Sequence, residues 1–428
     1  MNPKKILIFP SGTEIAFEIL NALKYSKFVE IYGGTSVTDH SEFVYKNLIT
    51  DIPFVHDANF IKCLNKVIER ERIDCIYPAH DSVCMFMSKH ITEIHAQVII
   101  TEHKTVKICR SKAETYNFFA GESFIPETFT SVDAVKKYPV FVKPAIGQGS
   151  KGARLIESRH DLEEALCKDA SLIICEHLPG MEYTIDCFTD YSGKLRVIKL
   201  RDRQRIRAGI SVRSEKQEID HRIKLIADII NQKLKFRGAW FFQVKKNEAG
   251  EYRLMEISPR IPGTMGLSRN MGINFPLLTL FDFWGYDVDI IDNGYRILLD
   301  RAFYNAYEID YLYDYVYLDF DDTLVISGKV NTDLIRFLYQ ASNEGKKIYL
   351  LTKHRGDIRR DLRTYKISED LFDDIFVLSN EQKKTDYIKE KKAVFIDDSF
   401  AERKQVYNEC GIPVFDVDMV ESLIDCRM

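Results

Sequence analysis

No apolar stretch in this chain approaches the roughly 20 residues needed to cross a bilayer. The start, Met1-Asn2-Pro3-Lys4-Lys5, runs straight into a short strand-forming segment, so a secretory signal is not expected. The nine cysteines are scattered, with no C-x-x-C pair and no metal-ligand spacing. Neither sign of charge dominates. Sixty Lys and Arg stand against 64 Asp and Glu, for a formal net charge of −4, which gives no general electrostatic reason to bind nucleic acid or an anionic membrane. The expectation is a protein of the reduced cytoplasm acting on small molecules, with no nucleic acid or membrane partner and with homo-oligomer formation left open.

What is present is ordinary globular material: 428 residues, 45% hydrophobic and 29% charged, enough for about three domains at roughly 100–200 residues each. The first hundred residues alternate strand and helix patterns: Ile6-Leu7-Ile8-Phe9, a helix from about Ala16 to Lys24, then Val29-Glu30-Ile31-Tyr32. Pro10-Ser11-Gly12-Thr13 follows the first strand as a phosphate loop would, but one glycine makes a dinucleotide site a weak reading. Ile76-Tyr77-Pro78-Ala79 ends at His80-Asp81, where a loop or helix-cap role for His80 outweighs a catalytic one.

Near the end of the chain, Tyr315-Val316-Tyr317-Leu318 empties into Asp319-Phe320-Asp321-Asp322-Thr323-Leu324. Residues i and i+2 of an extended segment share a side, so Asp319 and Asp321 can converge on one Mg²⁺ or one phosphorus. Three further apolar runs follow, ending at Thr352, at Ser379 and at Asp397-Asp398, with helical sequence between them. Such alternation predicts a parallel sheet whose carboxyl ends bring Asp319, Thr352 and Asp397 together. Lys384 supplies a cation, and Lys383 is an equally placed rival.

In this order and spacing the residues resemble the haloacid dehalogenase-like phosphatases over roughly the last quarter of the chain. That resemblance implies that Asp319 is a nucleophile forming an aspartyl-phosphate and Asp321 the acid/base. It further implies that Thr352 and Lys384 bind the phosphoryl group, and that Asp397 and Asp398 join Asp319 and the Asp321 backbone carbonyl at Mg²⁺. The gaps after Asp322 and after Thr352 leave no room for a cap domain, so the site should be open, with its phosphoester large or delivered by the neighbouring domain.

Between about 106 and 300 the sequence changes character. Val140-Phe141-Val142-Lys143-Pro144 is a strand carrying a lysine, and Gly147-Gln148-Gly149-Ser150-Lys151-Gly152 comes next. A strand, Ala153-Arg154-Leu155-Ile156, follows where a dinucleotide fingerprint needs a helix, so the loop fits better as a turn folded over nucleotide phosphates. Trp240–Val244 and Tyr252–Ile257 flank the turn Asn247-Glu248-Ala249-Gly250, predicting a hairpin with Gln243 opposite Glu256 and with Ser258 and Arg260 beyond.

This part, about residues 1 to 300, resembles the ATP-grasp superfamily, especially ligases similar to the carbamoyl-phosphate synthase large subunit. The resemblance implies ATP and Mg²⁺ as cofactors. Lys112, Lys143 and the loop residues Gly147, Gly149, Ser150 and Gly152 would hold phosphates, Glu176 and Leu178 the adenine, and Glu182 the ribose. Gln243, Glu256 and Ser258 would bind metal, with Arg260 at the transferred phosphoryl. Ser258 stands where the family usually has asparagine.

Arg201, Arg203, Arg205 and Arg207 alternate with other residues, placing four guanidiniums on one face if the segment is extended. For Arg203 and Arg205 the resemblance favours ATP phosphates or the acid substrate.

The combined expectation is an α/β and α+β multidomain enzyme. It comprises a Rossmann-like pre-ATP-grasp domain (1–105), an ATP-grasp domain (106–305) and a capless HAD-like Rossmannoid domain (312–428). The function expected is an ADP-forming carboxylate–amine ligase joined to a phosphomonoester hydrolase. Competing readings are a phosphatase with a nucleotide-binding regulatory module, and a vestigial nucleotide-responsive scaffold.

Overall fold

The computed structural model describes residues 3–424, apart from 148, 150, 208, 303 and 304. In the N-terminal part, β1 (Lys4–Phe9), β2 (Val29–Gly34), β3 (Asn47–Ile49), β4 (Cys75–Pro78) and β5 (Gln97–Val98) form a parallel sheet in the order β3-β2-β1-β4-β5. Ile6, Leu7 and Ile8 on β1 are fully buried, as befits a central parallel strand covered on both faces. The helices α1 (Glu14–Leu23), α2 (Phe60–Glu71) and α3 (Asp81–Lys89) connect these strands. On α2 the buried residues are Phe60, Leu64, Val67 and Ile68, the i, i+4, i+7, i+8 stripe of a helix facing a core.

Then come α4 (His103–Arg110), α5 (Lys112–Phe118) and a four-stranded sheet of β6 (Thr128–Phe129), β7 (Val140–Pro144), β8 (Arg154–Ile156) and β9 (Leu172–Glu176), with α6 (Arg159–Lys168) between β8 and β9. A larger antiparallel sheet is built from β10 (Glu182–Thr189), β11 (Leu195–Asp202), β12 (Arg205–Arg207), β13 (Ile210–Gln217), β14 (Gly238–Lys246) and β15 (Tyr252–Ser258). Its strands β15-β14-β10-β11-β13 lie side by side and β12 pairs with β13. The helix α7 (His221–Lys233) follows β13, and α8 (Gly266–Arg269) and α9 (Phe275–Phe283) follow β15.

The C-terminal part opens with the hairpin β16 (Ile297–Arg301) and β17 (Asn305–Ile309), then β18 (Tyr315–Leu318). A small hairpin, β19 (Val325–Ile326) with β20 (Lys329–Val330), leads to α10 (Thr332–Asn343), β21 (Lys347–Thr352), α11 (Ile358–Thr364), β22 (Asp374–Val377), β23 (Ala393–Ile396), α12 (Phe400–Cys410) and β24 (Val414–Phe415). These form a parallel sheet, β22-β21-β18-β23-β24. With β18 central and β21 and β23 on its two sides, the residues that follow these strands meet at one edge.

By packing, the chain divides into two units. One contains residues 1–20, 28–265 and 275–288, and the other contains 21–27, 266–274 and 289–428. The expected boundaries at 105/106 and 305/312 do not coincide with this division. The reason lies in side chains: Leu267, Met271, Tyr295, Ile297 and Leu299 are buried in the same core as Val316, Leu318 and Phe337 of the C-terminal sheet. Residues 305–309, at the join between the expected domains, are a strand paired with β16, and Tyr307, Ile309, Tyr311 and Tyr313 pack on that core.

A fragment beginning at residue 312 therefore loses five buried apolar side chains. At about 1.5–3 kcal/mol each, that is comparable to the whole stability of a domain, about 5–15 kcal/mol. We expect the 312–428 fragment to melt far below the full chain or to be insoluble. A calorimetric melt of the fragment superimposing on the C-terminal transition of the full chain would contradict this.

Candidate active sites

In the N-terminal unit the β14–β15 hairpin has the register Gln243↔Glu256, with a bulge just after Gln243. Period-2 alternation turns Glu256 and Ser258 to one side of β15, and together with Arg260, just beyond the strand, they line a cavity of about 620 Å³. Lys112, the first residue of α5, lines the same space with its Nζ 3.5 Å from Glu256 Oε2. A smaller adjoining cavity of about 170 Å³ is lined by Lys143, Glu182, Arg203, Gly147, Gly149, Gln243 and Glu256. Two oxygen-bearing side chains opposite each other, with cations beside them, suit a hard divalent cation and a polyphosphate.

Lys143 is nearly buried on β7 and donates to the Tyr116 hydroxyl at 2.7 Å. Burial lowers its pKa from the usual lysine value, so an anion in the cavity would strengthen its charge. Arg203 forms an ion pair with Glu182 at 2.8 Å and donates through Nη2 to the Gly209 carbonyl at 2.8 Å. β7 and β8 are an antiparallel pair, so the glycine-rich segment between them is a hairpin loop, as its context predicts. Gly209, with φ +77°, could not be replaced cheaply: a Cβ there would lie 2.3 Å from the Gly149 carbonyl carbon. Gly147, Gly149 and Gly152 are in this loop, and Ser150 lies outside the described residues.

Several expected roles are corrected. The arginine run is not one extended strand, because β11 ends at Asp202 and β12 starts at Arg205. Arg201 forms a buried ion pair with Asp186 at 3.0 Å and lines the larger cavity, Arg203 lines both cavities, and Arg205 and Arg207 lie exposed on β12, away from the lining. Glu176 is committed to Arg253, at 3.2 Å, and to the Glu127 backbone N–H, at 2.9 Å; neither it nor Leu178 lines either cavity. Ser258 lines the larger cavity and its Oγ donates to Asp81 at 3.4 Å. The Pro10–Thr13 loop is unsuited to phosphate, since the Asp39 carboxylate occupies the space where a Gly12 Cβ would point.

Asp81 is the residue that sequence reasoning missed here, although its neighbour His80 drew attention. His80 Nδ1 accepts from the Ser82 N–H as the helix cap of α3. Asp81 grips Arg260 in a two-pronged pair, 2.6 Å from Nε and 2.9 Å from Nη2. Burial acts against the Asp81 charge, but Arg260 outweighs it and holds the carboxyl down at about 2. The folded pKa thus lies below the unfolded one, so this stabilisation is present above about pH 4 and is lost as pH falls through 2. The shift corresponds to about 2 kcal/mol. We expect Asp81→Asn to be destabilised at neutral pH by about 3–5 kcal/mol, since it strands a buried guanidinium. Its stability gap to the wild type should narrow by about 2 kcal/mol between pH 5 and pH 2, as measured by urea denaturation. A gap that stays constant with pH would contradict the assignment. Arg110 lines the same cavity and is a second residue without a local sequence signal.

In the C-terminal unit, Asp319 follows β18, Thr352 ends β21 and Asp397 follows β23, so the parallel sheet delivers them side by side. Lys384 is buried between the acids, 2.9 Å from Asp319 Oδ1 and 2.5 Å from Asp397 Oδ2. Lys383 instead pairs with Glu409 at the surface. Burial raises the carboxyls of Asp319 and Asp397 and the acids repel each other, while Lys384 opposes both effects. Its own charge, disfavoured by burial, is restored by the two acids.

Carboxylate oxygens of Asp319, Asp397 and Asp398 lie within 4.8 Å of one another, a hard oxygen set of the kind Mg²⁺ takes. The Thr352 hydroxyl is buried next to Asp319 without a well-formed hydrogen bond, which fits an incoming phosphoryl oxygen. At Asp321 the backbone carbonyl and not the side chain is the expected ligand, and the carboxylate stands apart from this group. It turns to His354, whose Nδ1 is 2.9 Å from Asp321 Oδ2. Lys27, in the same unit, lies 3.1 Å from Asp398 Oδ2 and 3.6 Å from Asp322 Oδ2; no sequence pattern marked it.

A family model described as "ATP-grasp in the biosynthetic pathway with Ter operon" matches residues 168–296. A curated relative, 3-methyl-D-ornithine–L-lysine ligase of Methanosarcina mazei, is 26% identical over 141 residues, 31% of this chain and 36% of the relative's own length. Among solved structures, biotin carboxylase from Campylobacter jejuni in complex with β-γ-ATP is similar at 18% identity and TM-score 0.56, over 70% of this chain and 75% of that one. N5-carboxyaminoimidazole synthetase from Staphylococcus aureus complexed with ADP is similar at 15% identity and TM-score 0.56, over 71% and 83%. L-amino acid ligase from Bacillus licheniformis is similar at 14% and TM-score 0.55, over 70% and 80%. No helix among the described residues is long and apolar enough to cross a membrane. With its five-stranded parallel sheet, its β7–β8 glycine loop and the β14–β15 hairpin facing one cavity, the chain carries the mixed α/β ATP-grasp fold.

Proposed function

We propose that the chain is an ATP-dependent carboxylate–amine ligase that also hydrolyses a phosphomonoester. The observation that carries the ligase reading is the pairing of Gln243 with Glu256 beside Lys112, in a cavity that adjoins Lys143 and Arg203. The ADP- and ATP-bound structural neighbours and the lysine ligase relative support the same reading. ATP would pass its terminal phosphoryl to a substrate carboxylate, and an amine would displace phosphate from the resulting acyl phosphate. Lys112, Lys143 and Arg203 would offset charge developing on the phosphates in a site of low dielectric. Gln243 and Glu256 would hold Mg²⁺, which supplies further charge neutralisation when bound. Arg260, fixed by Asp81, would stand at the transferred phosphoryl, and Arg110 would offer a guanidinium to the acid substrate. The test is ADP release with pooled amino acids and small carboxylates. ATP binding without substrate-dependent ADP release would favour a regulatory module.

The second activity rests on Lys384 set between Asp319 and Asp397, with the Thr352 hydroxyl alongside, in an arrangement that resembles a haloacid dehalogenase-like phosphatase. Asp319 would attack phosphorus while Asp321 protonates the leaving oxygen. Water would then attack the aspartyl-phosphate as Asp321 takes its proton. Lys384 offsets part of the burial that disfavours the Asp319 anion. Asp397 and Asp398 would hold Mg²⁺ with Asp319.

A further inference from the structure

Asp321 needs one orientation to serve both proton transfers, yet its side chain is 55% exposed on a loop. An open carboxylate has several staggered rotamers available. The structure shows what restrains it. His354 Nδ1 is 3.1 and 2.9 Å from the two Asp321 oxygens, and its Nε2 is 2.9 Å from Asp361 Oδ2 on α11. Both imidazole nitrogens face carboxylates, so both act as donors.

The ring itself has little freedom. It lies edge-on to Phe320, centroids 5.1 Å apart at 76°. The Gly356 backbone comes close beside it: a Cβ there would sit 2.7 Å from His354 Nε2 and 3.3 Å from Asp361 Oδ2. Phe320, Gly356 and Asp361 thus confine an imidazole whose other nitrogen, Nδ1, reaches the Asp321 carboxylate. A histidine two residues after Thr352 on an ordinary solvated loop would require none of this.

We propose that His354, oriented by Asp361, is the positioning residue that holds Asp321 in its working rotamer, an inference that rests on the phosphatase reading. Its contribution is geometric. In the first step the Asp319–phosphorus bond forms, the phosphorus–leaving-oxygen bond breaks, and the Asp321 proton goes to the leaving oxygen. In the second, water oxygen bonds to phosphorus, the Asp319–phosphorus bond breaks, and a water proton returns to Asp321. His354 gains and loses no proton overall. It keeps the Asp321 oxygens where both transfers occur, and misplacement by about 1 Å can cost about 10²-fold in rate.

The geometry separates two otherwise similar replacements. An asparagine amide nitrogen falls near the position of Nδ1, and a glutamine amide nitrogen near that of Nε2. His354→Asn should therefore keep the donor to Asp321, and His354→Gln should lose it. With an aryl phosphate, His354→Ala and His354→Gln should lose about 10²-fold in kcat with KM within about twofold. They should also accumulate acid-stable phosphate on Asp319, because the second transfer has no product-assisted alternative. His354→Asn should recover most of the rate, and Asp361→Asn should fall between.

Equal activity of the Asn and Gln variants, or an unchanged Ala variant, overturns the proposal. Crystal structures of the same variants decide the matter even without turnover: one Asp321 rotamer in wild type and His354→Asn but several in His354→Gln supports it, and one rotamer in all three overturns it. Absence of any Asp319-dependent hydrolysis in the wild type would count against the phosphatase reading alone.

Discussion

Asp319→Asn is expected to remove hydrolysis of a generic aryl phosphate, with a fall of about 10⁴-fold or more, as for loss of a covalent nucleophile. The amide preserves size and most hydrogen bonding but cannot attack phosphorus. The substitution also acts on its neighbours. Lys384, now 2.9 Å from one acid and 2.5 Å from another, keeps Asp397 as partner and remains charged. The fold should therefore survive, and an unchanged thermal melt distinguishes lost chemistry from lost structure. Asp321→Asn should behave differently. Its first step is slowed and its second slowed more, so phosphate should become trappable on Asp319 by acid quench and mass spectrometry. Wild-type turnover in Asp319→Asn would sink the nucleophile assignment, and trapped phosphate on another residue would move it.

Glu256→Ala is expected to abolish substrate-dependent ADP release while leaving aryl phosphate hydrolysis intact. Glu256 is the carboxylate that lines both adjoining cavities, and it faces Gln243 across the hairpin. Removing it deletes a metal ligand and leaves Lys112, 3.5 Å away, without its anion. The cavity then carries excess positive charge that can bind phosphates without organising the transfer, so nucleotide binding should persist at reduced affinity. Electrostatic losses of this kind reach about 10²–10³-fold for a single group, and loss of a metal site adds to it. Calorimetric titration with ATP and a coupled ADP assay read the two effects separately. Loss of both activities would argue against independent sites.

How much of this could be read beforehand depends on how local each contact is. Two carboxylates two residues apart after a β-rich run, and polar residues ending each of three later apolar runs, were enough to place Asp319, Thr352 and Asp397 at one sheet edge, because a parallel sheet gathers its carboxyl ends. The hairpin register of Gln243 against Glu256 followed equally from strand length and a turn sequence, since period-2 geometry leaves few alternatives. Contacts distant in sequence had no such marker. Asp81 and Arg260 stand 179 residues apart, Lys27 and Asp398 371 apart, and nothing in either local pattern names the other.

The arginine run shows the opposite failure. Its alternation was real, but the break between β11 and β12 leaves Arg201, paired with Asp186, and Arg203 at the cavities and sends Arg205 to the surface. Alternation fixes sides only while the backbone stays extended. The choice of Lys384 over Lys383 was likewise tertiary, because neighbouring residues differ only in which way the backbone turns them, and here one turns to Asp319 and the other to Glu409. What the sequence determined by itself was the set of chemical groups and the elements that carry them, since backbone periodicity and turn chemistry act over a few residues. Only tertiary packing decided which cations meet which acids, and that Leu267, Met271, Tyr295, Ile297 and Leu299 belong to the C-terminal core, because burial of apolar side chains is indifferent to separation along the chain.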